Sequence, residues 1–87
     1  MLRPALDYIY NNELAPFKTS LPLYDANYKA NLMFQAIVHR RTAFVALLLT
    51  QGVDPVPFQT YVQDRIVGAS DDGERVAFEV MAAMLKS

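Results

Sequence analysis

Histidine is the side chain best suited to ligate a metal or move a proton near neutral pH, and this sequence has one, His39, in the triplet His39-Arg40-Arg41. The chain has no cysteine, and no carboxylate stands at helical spacing beside His39, so no metal-ligand set is legible. The neighbouring acids Asp71 and Asp72 could share a proton in acid–base chemistry. Two acids just ahead of a helix are better explained as a solvated helix start, where the dipole favours negative charge. Ser20, Ser70 and Ser87 lack the glycine elbow that exposes a serine nucleophile. Gly52, Gly68 and Gly73 form no phosphate-cradling loop. These residues predict no enzyme, no cofactor and no metal.

Binding is the alternative to catalysis. The basic triplet could dock on an acidic protein patch or on nucleic acid, or it could serve as a polar turn between helices. Eight basic and nine acidic residues leave a net charge of −1, which disfavours a partner held through its phosphate backbone. Of the 87 residues, 53% are hydrophobic and 20% charged. A single domain of that length, residues 1–87, buries only a modest core, so some of this apolar area is expected to meet a partner. The absence of cysteine fits a reducing compartment. The start, MLRPALDYIY, lacks the unbroken apolar stretch of a signal peptide. The apolar run Phe44 to Leu49 is far shorter than the roughly 20 residues that cross a bilayer. A soluble, cytoplasmic protein with no membrane partner is expected.

The elements that would carry such a surface follow a helical period, and no segment alternates as a strand does. Leu2, Ala5, Leu6 and Ile9 predict a first helix over 4–11, with Pro4 in its first turn. A second runs from Ala15 to Leu21 and is stopped by Pro22. YDANYKAN reads as turn residues, after which Asn31 caps a third helix from Leu32 to about Arg40. Thr42 caps a fourth, which ends at Gly52 in a left-handed stop. A fifth begins near Pro57 and ends before Gly68. Asp72 caps the sixth, from about Glu74 to Lys86, whose Val76, Val80, Met81, Met84 and Leu85 are placed mainly on one side. The fold class is therefore all-α: about six short helices in three helix-turn-helix pairs.

Sliding the chain by 28 residues brings Leu6 onto Phe34, Ile9 onto Ile37, Phe17 onto Val45 and Leu21 onto Leu49. Within the second pair, Asn31-Leu32-Met33-Phe34-Gln35-Ala36 aligns with Thr-Pro-Leu-His-x-Ala, the opening of an ankyrin repeat. Val45-x-Leu47-Leu48-Leu49-x-x-Gly52-Val53-Asp54 is similar to that family's closing pattern. The second pair thus resembles an ankyrin repeat over residues 31–54, with degenerate copies on either side. Leu32 and Phe34 replace the Pro and His of the family motif, and the spacing is shorter than its roughly 33 residues.

The resemblance implies an ankyrin-like stack that binds a protein through the loops between pairs and the exposed face of each first helix. Mapped onto this chain, that surface contains Tyr28, Lys29 and Val56 in loops, Gln35 and His39 on the third helix, and Arg40 and Arg41 in the turn that follows. Tyrosine is abundant and suits such a surface, offering rigid area with a polar tip. The expected function is a non-catalytic protein-binding module, monomer or homodimer. The alternative is a compact irregular helical bundle acting as a small dimeric structural or inhibitory protein of a mobile genetic element.

Overall fold

A computed structural model of the protein describes residues 5–86, and every regular element in that span is helical. Six α-helices follow one another: α1 (Ala5–Tyr10), α2 (Leu14–Ser20), α3 (Ala26–Val38), α4 (Thr42–Thr50), α5 (Val56–Val67) and α6 (Asp72–Lys86). A 3-10 turn, Leu21–Leu23, extends α2 and contains Pro22. The all-α class with six helices holds. Leu2 and Pro4 lie outside the described residues.

Helices pack in sequential pairs, α1 with α2, α3 with α4 and α5 with α6. Across pairs, α1 meets α3, α2 meets α4, and α4 meets α6. First helix thus lies against first helix between the first two pairs, and second against second along all three, giving a shape of 40 × 24 × 16 Å.

The turns explain why pairs form at all. Asn12 and Arg40, 28 residues apart, both adopt left-handed backbone, with φ of 59° and 57°. The hydrogen bonds around them also match. Asn12 N–H donates to Ile9 C=O and Glu13 N–H to Tyr8 C=O; Arg40 N–H donates to Ile37 C=O and Arg41 N–H to Ala36 C=O. Both turns are Schellman motifs, in which one left-handed residue satisfies the last carbonyls of a helix and reverses the chain. Gly52, at φ 86°, ends α4 in the same way, its N–H donating to Leu49 and that of Val53 to Leu48. Aspartates open the helices that follow: Asp25 accepts from Tyr28 N–H, and Asp71 from Glu74 N–H. Each such cap is worth about 1 kcal/mol.

The core between pairs is wholly apolar. Phe17 of α2 lies 4.7 Å from Phe44 of α4, ring centre to ring centre, and both are fully buried with Leu21, Leu32, Ile37, Val45 and Leu48. Phe78, Met81 and Leu85 bring α6 onto this core, whereas α5 contributes one fully buried residue, Val62. Burying each large side chain stabilises the fold by about 1.5–3 kcal/mol.

Several boundaries differ from the sequence reading. The third helix begins at Ala26 with Asp25 as its cap, so Asn31 is an exposed mid-helix residue and caps nothing. YDANYKAN is therefore mostly helix, since one Asp cap outweighs the weak turn preference of two asparagines that can also point to solvent. Tyr28 and Lys29 consequently lie in α3, and Val56 is the first residue of α5, where loops were expected. Arg41 occupies the cap position of α4 without capping it through its side chain, and Thr42 is already helical. The cap of α6 is Asp71, one residue ahead of Asp72. On α6 itself, Phe78, Met81, Ala82 and Leu85 face the core, while Val76 and Val80 are exposed on the opposite side.

Candidate partner-binding face

The first helices of the three pairs, α1, α3 and α5, carry the residues that the sequence singles out, and two aromatic contacts join them. Tyr10, at the end of α1, meets His39, at the end of α3, edge to face with ring centres 4.6 Å apart. Phe34, in the middle of α3, meets Tyr61 of α5 at 5.1 Å. These rings sit at the surface: Tyr10 is 48% and Phe34 40% exposed, and Tyr61 and His39 are half-buried.

Helical spacing explains the arrangement. In α3, Leu32, Met33, Ala36 and Ile37 are buried, so Asn27, Asn31 and Phe34 fall on the outward side at intervals of about one turn. Tyr28, Gln35 and His39 follow one another by seven and four residues, which sets them along one flank of the helix. All three are half-buried. The flank that carries Phe34 leans on α5.

Beside Lys29, residues from the beginnings of α3 and α5 and from the end of α4 line an open groove of about 380 Å³. Its walls include Lys29 and Ala30 of α3, Val53 and Asp54 of the linker, and Pro57 and Phe58 of α5. The Asp54 carboxylate accepts from the Val56 N–H, which fixes the entry into α5. Lys29 is the cation of this groove, and its walls are otherwise mostly apolar.

The seven predicted binding residues have separate fates. Lys29 lines the groove. Gln35 and His39 belong to the first-helix face, though His39 is packed on Tyr10 instead of standing free at the helix end. Tyr28 turns toward the preceding linker, edge-on to Tyr24 at 4.7 Å, and packs against the core. Val56 is exposed beside the groove. Arg40 is exposed and left-handed. Arg41 reaches back across the pair boundary, donating from Nε to Ile9 C=O at 2.9 Å and from Nη2 to Tyr10 C=O at 2.8 Å. It binds the last carbonyls of α1, where a cation is favoured by the dipole as well as by hydrogen bonding. The basic triplet is thus divided, with one arginine holding two pairs together and the other facing solvent.

Sequence reasoning passed over Phe34 and treated Tyr10 and Tyr61 only as part of an aromatic surplus. Starting α3 at Asp25 would have found Phe34, because it then falls in line with the exposed asparagines.

Among the described residues no polar or charged side chain is buried, and no three His, Asp or Glu side chains converge on a point. What this face can do is desolvate aromatic and aliphatic surface on a preformed scaffold. No described helix is long and apolar enough to cross a membrane. Compared with known protein-family models, curated proteins and solved structures, the chain matches none.

Proposed function

We propose that the protein is a non-catalytic interaction module of ankyrin-like organisation that binds a protein partner across the exposed side of α1, α3 and α5. The observation that carries this reading is the pair of surface aromatic contacts, Tyr10–His39 and Phe34–Tyr61, each bridging adjacent first helices. The contacts of α1 with α3, of α2 with α4 and of α4 with α6 support the ankyrin-like comparison. Rings already held by a neighbour lose little freedom on binding, so more of their desolvation energy appears as affinity. Lys29 and Gln35 supply a polar edge that fixes register, and the groove beside Lys29 admits an apolar side chain of the partner.

The test starts from whatever protein the purified chain retains stoichiometrically from a cell lysate. Its affinity is then measured for wild type and for the Tyr10→Ala, Phe34→Ala double variant. A weakening of at least about 30-fold, equivalent to about 2 kcal/mol, is expected at unchanged helicity. Unaltered affinity in the folded double variant would remove this face from consideration.

A further inference from the structure

The outward side of α6 carries a second apolar stripe, separate from the face described above. Gly73, Val76, Val80 and Ala83 are all exposed, Val76 by 56% and Val80 by 46%. Their spacing alternates three and four residues, the period of a helix seam that packs against another helix. They lie opposite Phe78, Met81 and Leu85, which already bury the inward side of the same helix. α6 is therefore apolar on two faces, and one of them has no cover within the described chain. Arg75, Glu79 and Lys86 lie to one side of the stripe without interrupting it, while Glu74 falls on the side of the helix that carries Phe78 and Met81.

We propose that this stripe is a self-association surface, through which two copies of the chain pair by their α6 helices in antiparallel orientation about a two-fold axis. The charge pattern selects both the occupant and the direction. Asp72, Glu79 and Lys86 recur every seven residues along one border of the stripe. They run from acidic at the helix start to basic at its end. Reversing a second copy sets Asp72 of each against Lys86 of the other, giving two cross-pairs. The same reversal sets Val76 opposite Val80 and Gly73 opposite Ala83, so the bulkier residues meet at the centre and the small residues at the ends. Glu79 falls near the axis and faces its own counterpart. Arg75, whose Nε lies 3.7 Å from the Glu79 carboxylate and which also pairs with Asp72, offsets that repulsion. A parallel pairing would make neither cross-pair, because the opposite border of the seam holds Ala77 and Met84.

The seam from Gly73 to Ala83 covers about 16 Å, or about three turns, of the 15-residue helix. That is small against the area of a standard stable interface, and the dimer forms in a concentration-dependent equilibrium.

Sedimentation equilibrium over a wide concentration range tests this directly. Wild type rises from the 9.8 kDa monomer toward twice that mass. Val80→Lys and, separately, Ala83→Glu shift the midpoint to at least tenfold higher concentration without loss of helicity, since both positions are exposed. Lys86→Glu weakens pairing, and adding Asp72→Lys to it restores pairing, which a merely adhesive patch would not do. Because the chain has no cysteine, orientation can be read by cross-linking. A mixture of Val76→Cys and Val80→Cys chains forms disulfides faster than either alone. A constant monomer mass, association untouched by Val80→Lys, or faster cross-linking of Val76→Cys with itself would each overturn the proposal.

Discussion

The first two helix pairs and the third are built by different rules. In pairs α1–α2 and α3–α4 the turn has one geometry, repeated 28 residues on, although its residues are chemically unlike: Asn12 against Arg40, Tyr8 against Ala36. Arg41 then locks the second pair to the end of α1, and the Phe17–Phe44 contact fills the space behind it. The third pair has neither device. Its turn contains Gly68, which sits at φ −89° and so makes no left-handed stop. It is held by α6 on α4 and by Phe34 on Tyr61, and Gln59 of α5 donates to Leu85 C=O to close the end of α6. A repeat in this chain is a property of backbone turns and buried volume more than of matched residues. The groove beside Lys29 lies at the link between the second and third pairs, lined by Gly52, Val53 and Asp54 and by Pro57 and Phe58.

Mutations can break that contrast, beginning where the effect is largest. Phe17→Ala or Phe44→Ala removes the contact between the first two pairs and is expected to cost about 3–5 kcal/mol. Denaturant titration followed by circular dichroism checks it; a loss below 1 kcal/mol would mean that the first two pairs do not depend on this contact. Arg41→Ala leaves the C-terminal carbonyls of α1 without their charged donor and is expected to cost about 2 kcal/mol. Native-state amide exchange should accelerate mainly in α1, with the third pair unaffected. Uniform acceleration would show that Arg41 does not act at one boundary.

The glycines sharpen the comparison at smaller cost. Gly52→Ala forces a β-carbon into left-handed backbone and is expected to destabilise by about 1 kcal/mol, whereas Gly68→Ala meets only Asp64 C=O at an ordinary 3.5 Å and is expected to be neutral or stabilising by a few tenths. Thermal melts of the two variants should move in different directions or by clearly different amounts. Equal shifts would place the two stops in one class. Of similar size, Asp25→Ala should cost about 1 kcal/mol and Asn31→Ala less than about 0.5, because only the former caps α3. The reverse order in a chemical denaturation series would restore the cap to Asn31.

The legible features were those set within one or two turns. Helix number, the Gly52 stop, the 28-residue offset and the burial of Ile9, Phe17, Leu21 and Ile37 all follow from period and turn chemistry. The start of α3 was local too, but Asn27 and Asn31 hid it, because asparagine is as common in turns as on the wet side of a helix. Of the proposed binding face, Lys29, Gln35 and His39 were expected from the ankyrin-like pattern. Phe34 was hidden inside an expected core.

By itself the sequence determined that this chain makes short helices reversed by tight turns, since hydrogen-bond closure and capping depend on neighbouring residues only. Tertiary structure alone decided which groups were used across pairs. Arg41 could have faced solvent like Arg40, and it became a bridge because the end of α1 arrives beside it. Likewise α6 offers two apolar stripes. The one holding Phe78, Met81 and Leu85 turned inward because it buries more area against α5 and α4, which left Val76 and Val80 outside.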